Sequence, residues 1–374
     1  MILFFITILL FILYSVLIVY YWLSWNSIPE FSPQVHSAST RISVIIPARN
    51  EEENIGKLLT ALIKQSYPKD LFEVIVVNDH STDRTAEIVK QFIGVILVEL
   101  EEADINSYKK KAIEKGITLA AGELIVTTDA DCIPPPRWLE TIALFKKENN
   151  SVFIAAPVNL ISKKGNKNIL SFFQQLDFMV LQGITAASVY KQIHSLCNGA
   201  NLAYEKNVFY EVNGFEGIDK IASGDDLLLM HKIWKQYPGR VHYLKSNEVI
   251  VTTEPMKTWK EFINQRIRWS SKAVHYDDKR IFWVLLLVYL FNLSFPVLLV
   301  AGIWNLKFIF WFLSLWIAKT MIEFPFILSL AAFFSKQSLV KYFFFFQPLH
   351  IAYTIIAGWL GQFGKYEWKG RRVR

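Results

Sequence analysis

The sequence predicts an α/β domain on a mostly parallel sheet, flanked by apolar helices long enough to cross a membrane. Three observations carry this. Residues 1–24 contain no charged side chain. Short β-branched runs alternate with helical patterns between residues 41 and 131. Three more long apolar stretches follow residue 280.

Composition agrees. Hydrophobic residues make up 52% of the 374 positions and charged residues only 20%, so the chain can bury a large core and is not disordered. Two cysteines, Cys132 and Cys197, rule out a disulfide framework and match no zinc spacing; both read as small buried apolar residues. The net charge of +7 does not point to nucleic acid, because Lys365, Lys369, Arg371, Arg372 and Arg374 crowd into the last ten residues.

In order along the chain, residues 1–24 read as a membrane anchor. A helix rises about 1.5 Å per residue and the hydrocarbon core is about 30 Å thick. The segment lacks the positive start, short apolar core and small-residue cleavage site of a signal peptide, so it is expected to be retained. Tyr20, Tyr21 and Trp22 would lie at the headgroup interface. Residues 25–38 form a polar, Pro-containing linker. Residues 39–280 read as one α/β domain. RISVIIP precedes a helix near 53–66, FEVIVVND precedes a helix near 83–93, and VILVEL and GELIVTTDAD supply two further strands. Their near-continuous apolar runs fit strands covered on both faces. A helix near 257–272 would lie at the interface before the spans 281–304, 308–334 and 342–363, and residues 365–374 form a basic tail. Lys319 and Glu323 share one face of the middle span, either as a packing pair or as groups lining an acceptor path. If the central domain is cytosolic, three later spans put the basic tail outside, against the positive-inside rule. One C-terminal segment is therefore expected to be re-entrant, interfacial or split: 308–334, or the last one with Pro348.

The chemistry is concentrated at the strand ends, where open α/β sheets bind ligands. They read PARNEEEN (47–54), NDHSTD (78–83) and DADC (129–132). Such an acidic rim calls for a cation, and a divalent metal carrying a diphosphate is the fitting one. Asp83 serves equally as a helix cap. Asp129 and Asp131 directly follow a buried strand and precede Pro134-Pro135-Pro136, a rigid setting for chelation. Asp225-Asp226 stands at a helix start, where Asp226 reads either as part of a capping box with Ser223 or as a general base. Gln265, Arg268 and Trp269 fall on one helix face; Arg suits phosphate, and an indole suits a sugar or a headgroup layer. His194 and His231 have no partner pattern and read as structural.

Taken together, these motifs resemble the membrane-bound family 2 glycosyltransferases, inverting enzymes of GT-A fold that include cellulose, hyaluronan and poly-N-acetylglucosamine synthases and ceramide glucosyltransferases. The resemblance covers about residues 40–275. It implies that Pro47, Ala48, Arg49 and Glu51 surround the nucleoside and that Asp79 meets the uracil of a UDP-sugar. Lys109, preceded by Tyr108 where the family usually has Gly, would contact the nucleotide. Asp129 would lie near diphosphate and ribose, and Asp131 would ligate Mg²⁺ or Mn²⁺. CNGANLAYEKNVFYEVNGF (197–215) would line the acceptor side, Asp225 and Asp226 would form the catalytic pair with Asp226 the base, and Gln265, Arg268 and Trp269 would complete the donor site.

The implied activity is inverting transfer of a sugar from a nucleoside diphosphate to a hydroxyl of a lipid-linked or glycan acceptor. The catalytic domain would be cytoplasmic on a multi-pass inner or plasma membrane protein. A processive polysaccharide synthase is the alternative, disfavoured by the short chain and few spans. A non-catalytic membrane scaffold is the alternative of another class, disfavoured because every acidic motif is present.

Overall fold

The structure, a computed structural model, describes residues 1–33, 39–102, 105, 107–162, 168–193, 197–219, 221, 224–271, 278–363, 366–368 and 371–373. The helices are α1 (Ile2–Ser27), α2 (Ile55–Ile63), α3 (Thr85–Lys90), α4 (Tyr108–Leu119), α5 (Trp138–Asn149), α6 (Ile169–Lys191), α7 (Lys206–Glu211), α8 (Leu227–Gln236), α9 (Trp259–Ser270), α10 (Lys279–Gly302), α11 (Lys307–Phe333) and α12 (Phe343–Phe363). The strands are β1 (Ile42–Ala48), β2 (Phe72–Asn78), β3 (Val95–Glu99), β4 (Leu124–Thr127), β5 (Phe153–Ala155), β6 (Val158–Leu160), β7 (Leu202–Glu205), β8 (Val241–Tyr243) and β9 (Val251–Thr253). The basic tail forms a two-stranded ribbon, Tyr366–Trp368 with Arg371–Val373.

The chain divides into two units. One comprises residues 29–163, 195–254 and 367–374; the other comprises 1–28, 164–194 and 255–366. Residues 164–194 and 255–280, read from sequence as part of the α/β domain, thus group with the apolar helices. The reason is visible in α6, whose 23 residues include 16 buried ones spread around the helix, so it needs neighbours on several sides.

The α/β unit is a GT-A-like, mostly parallel sheet in the order β3-β2-β1-β4-β7-β5-β8, with β6 paired to β9 beside it. β1 lies parallel to β2 and β4, and β2 parallel to β3. Val44, Ile45, Ile46, Ile75, Val76, Val77, Ile125 and Val126 are each 0% exposed, as expected of strands covered on both faces. The register sets Ala48 beside Asn78 and Ile45 beside Thr127, so the loops after β1, β2 and β4 leave from one edge. β7 runs antiparallel between β4 and β5, with Thr127 opposite Leu202. The segment leading into β7 therefore arrives at the edge where β4 ends.

That arrival is pinned by Asn201, which is fully buried. Its side-chain oxygen accepts from Trp138 Nε1 at 2.9 Å, and its Nδ2 donates to the carbonyls of Pro157 and Val249, both at 2.8 Å. The triple-proline loop after Cys132 is held in the same way. Gln65 Nε2 donates to the Pro135 carbonyl at 2.8 Å, and Gln65 Oε1 accepts from the Leu139 N–H at 3.1 Å.

Among the described residues of the helical unit, four helices are long and apolar enough to cross a membrane: Ile2–Ser27, Lys279–Gly302, Lys307–Phe333 and Gln337–Gly361. α11 continues through Lys319, Glu323 and Pro325, and α12 through Pro348, so neither segment is split. Tyr14, Ile18, Phe291, Phe295, Leu298, Leu315 and Ile351 form one buried seam. Tyr21 is only 2% exposed and turns inward rather than joining an interfacial belt. Trp22 Nε1 donates to Ser329 Oγ at 3.1 Å and Trp311 Nε1 to Thr7 Oγ1 at 2.8 Å, tying α1 to α11.

Lys319 and Glu323 form a closed buried network. Lys319 Nζ donates to Glu323 Oε1 at 2.7 Å and to Gln347 Oε1 at 2.6 Å; the Tyr14 hydroxyl and Gln347 Nε2 donate to the same carboxylate. With its groups spent on one another, the network has the makings of a packing element rather than a polar path. α9 begins with a capping box, Thr258 with Glu261. Its Arg266 pairs with Asp177 of α6 at 2.7 Å, and the Tyr353 hydroxyl donates to that Asp177.

Candidate active site

The ends of β1 and β2 are knitted together by short polar side chains. Arg49 Nη1 donates to the carbonyls of Asp79 at 2.8 Å and His80 at 3.1 Å, and lies 3.9 Å from Asp79 Oδ1. The Asp79 N–H donates to the Ala48 carbonyl at 2.8 Å. Asp79 is buried, with His80 Nδ1 at 3.1 Å from its carboxylate. The Glu51 N–H donates to Thr85 Oγ1 at 2.7 Å. Asn50 and His80 both take left-handed backbone conformations, φ 51° and 50°, which Asn and His tolerate better than most residues. Such conformations gather where a backbone is shaped for a task. Pro47, Ala48, Arg49, Glu51 and Asp79 are thus brought together.

Asp83 is a local cap. It accepts from the N–H groups of Thr85 and Glu52, both at 3.0 Å, and from the Thr85 hydroxyl at 2.5 Å. Burial pushes its carboxyl up, yet those hydrogen bonds prevail and hold it below its ordinary value.

The second half of the site gathers around α4. Its three consecutive lysines point three ways. Lys110 is buried and donates to the carbonyls of Ile218, at 2.7 Å, and Ile221. Lys111 pairs with Glu114 at 2.9 Å and Glu102 at 3.8 Å. Lys109 reaches a strand-end acid and a helix-start acid together: its Nζ lies 2.7 Å from Asp129 Oδ1 and 3.1 Å from Asp225 Oδ2. Burial works against its charge, but Asp129 and then Asp225 outweigh it and hold the ammonium well above its ordinary value.

Asp226 caps α8 and touches the same cluster. Its Oδ1 accepts from its neighbour Leu227 N–H at 2.7 Å and its Oδ2 from Gly199 N–H at 3.0 Å. The capping and catalytic readings of Asp226 are therefore compatible. Ser223, the partner expected in a capping box, lies outside the described residues, as does His194. His231 is buried and stacked on Trp234.

Sequence reasoning did not single out Gly199. A β-carbon there would lie 3.1 Å from both Asp225 Oδ2 and Lys109 Nζ and 3.5 Å from Asp226 Cβ. Gly199→Ala should leave the unfolding temperature within about 3 °C, since a β-carbon there meets only side-chain atoms, which can give way by a few tenths of an ångström. Pressing on the lysine–carboxylate cluster should lower kcat/KM about tenfold. Wild-type kcat/KM would show that the close approach is incidental.

One ligand atom each from Asp129, Asp131 and Cys132 lies within 4.8 Å of the others. Cys132 Sγ sits 3.5 Å from Asp131 Oδ1, and burial followed by the Asp131 and Asp129 charges pushes its thiol well above its ordinary value. A protonated thiol is a poor ligand, so the donor set fits a hard cation on the two carboxylates.

Gln265, Arg268 and Trp269 belong to α9 of the helical unit and are partly exposed. The Trp269 ring already faces a cation: the Arg266 guanidinium lies 4.3 Å from its centroid, with Phe178 at 6.1 Å.

A glycosyl transferase family 2 model matches residues 43–212. This stretch is a family 2 glycosyltransferase domain. It includes every acidic strand end described above and stops short of Asp225-Asp226. The chain is similar to the probable glycosyltransferase YdaM of Bacillus subtilis, 27% identical over 62% of this chain and 54% of that protein. It is also similar to the glycosyltransferase AglE of Haloferax volcanii, 40% identical over 26% of this chain and 33% of that protein. The chain thus spans about half or less of the curated relatives it matches. In fold, the glycosyltransferase domain and its helices are similar to a mannosyltransferase from Pyrobaculum calidifontis solved with GDP-Man and Mn²⁺. The TM-score is 0.60 at 20% identity, covering 96% of this chain and 98% of that one.

Proposed function

We propose that the protein transfers a sugar from a nucleoside diphosphate sugar to a hydroxyl of a lipid-linked acceptor, by single displacement with inversion. The observation that carries this is the convergence of Asp129, Asp225, Asp226 and Gly199 on Lys109, at the strand edge that also bears Arg49 and Asp79. Asp79 and Arg49 would hold the nucleoside. Asp129 and Asp131 would hold a divalent metal, which supplies charge stabilisation for the departing diphosphate. Asp226 would take the acceptor proton, its carboxylate aimed by the Leu227 and Gly199 N–H groups. Positioning and charge stabilisation together provide most of the rate.

The four apolar helices favour an acceptor that resides in the bilayer, and cytosolic nucleotide sugars favour a catalytic domain on the cytoplasmic side. Membranes containing the protein, supplied with Mn²⁺ and radiolabelled nucleotide sugars, should produce a single labelled lipid identifiable by mass spectrometry. Asp131→Ala should bring that labelling down by about 10²-fold or more, in line with a lost metal ligand. A ladder of polymer would sink the single-transfer reading. Full labelling by Asp131→Ala would remove the metal assignment.

A further inference from the structure

We infer that Lys109 is a built-in counter-cation, holding Asp129 and Asp225 together when no donor is bound and competing with a divalent metal for Asp129. The inference rests on the proposed metal role of Asp129 and goes beyond it by giving Lys109 a task before the nucleotide arrives.

Three observations lead there. First, the lysine chosen is specific, because Lys110 is committed to the Ile218 and Ile221 carbonyls and Lys111 to Glu114 and Glu102. Second, the contact with Asp129 is closer than the contact with Asp225, 2.7 against 3.1 Å, and it engages the same carboxylate that a cation at the Asp129–Asp131 pair would use. Third, Lys109 bridges acids from two separate loops, one after β4 and one before α8, where Asp225 stands beside Asp226. Without a cation these acids would repel one another across a partly exposed gap.

The consequence is thermodynamic coupling. Metal alone must displace the ammonium from Asp129 and leave it facing a second cation. Metal arriving with a diphosphate brings anionic oxygens that give the ammonium a new partner. Metal and nucleotide should therefore bind cooperatively, with Lys109 carrying the coupling.

The test titrates Mn²⁺ into the full-length protein in detergent, alone and with UDP or GDP, following free Mn²⁺ by electron paramagnetic resonance. Lys109→Gln should bind Mn²⁺ alone about tenfold more tightly than wild type, and added nucleotide should improve that affinity much less than it does in wild type. Lys111→Gln removes the same charge from the same helix without touching Asp129, and it should leave both affinities unchanged. Lys109→Arg keeps a cation and should bind Mn²⁺ alone no more tightly than wild type, which guards against a glutamine variant that folds poorly. Equal Mn²⁺ affinity in wild type and a folded Lys109→Gln, with nucleotide enhancement intact in both, overturns the counter-cation alone. Failure of any variant to bind Mn²⁺, even with nucleotide, overturns the metal reading and the inference with it.

Discussion

Asp226→Asn is expected to bind the nucleotide sugar as well as the wild type and to transfer sugar about 10³-fold more slowly, the range set by loss of a general base. The wild-type carboxylate is held by two backbone donors, Leu227 N–H on Oδ1 and Gly199 N–H on Oδ2. An amide keeps the shape but offers only one acceptor oxygen, so one of those two N–H groups loses its partner. That loss costs about 1–2 kcal/mol of stability, too little to unfold the domain. The amide also cannot accept the acceptor's proton. Calorimetric donor binding separates the effects: unchanged affinity with vanishing turnover identifies the base. Near-wild-type turnover would move the role elsewhere, and Asp225, already paired with Lys109, is the neighbour to examine next.

Glu323→Leu should be among the most destabilising substitutions in the helical unit, costing about 3–5 kcal/mol. Lys319 is 0% exposed, and its ammonium has Glu323 and Gln347 as its hydrogen-bond partners. Removing the carboxylate leaves a buried cation facing a lone amide oxygen, and leaves Tyr14 and Gln347 without an acceptor. The double variant Lys319→Met with Glu323→Leu removes both charges and should regain most of the loss, because matched apolar side chains commonly replace a buried ion pair without penalty. Thermal unfolding in detergent reads both. If the double variant unfolds normally but loses transfer, the pair serves the acceptor after all. If the single variant is as stable as wild type, the network is not a packing element.

The legible parts of the fold were those with strong local signals. β1, β2, β3 and β4 are runs rich in Val and Ile with Asn, Asp or Glu at or just beyond their ends, and the apolar spans need only composition. β7 was not legible. It has four residues, LAYE, and its antiparallel place between β4 and β5 depends on partners far away in the chain. β5, β6, β8 and β9 are three residues each, too short for a period to emerge. At the site, Asp129-Ala130-Asp131 could be singled out because the acids are only one residue apart in sequence. The joining of Asp129 to Asp225 by Lys109 could not, since that contact spans two loops and a helix. Gly199 carries no side chain to signal its closeness. Arg266 is flanked by the residues of its own motif, yet its partner Asp177 lies mid-way along a helix of mixed apolar and uncharged polar residues, whose sequence gives little hint of what the acid meets.

The buried hydrogen bond between Tyr14 and Glu323 joins residues 309 positions apart. At about 5–20 residues per second, a ribosome takes roughly 15–60 s to deliver the second partner after the first. Throughout that interval the Tyr14 hydroxyl lacks this acceptor, and Trp25 lacks Phe333 and Phe334, the rings it packs against. Assembly of the helical unit must therefore tolerate a long wait between its first helix and the partners that complete it.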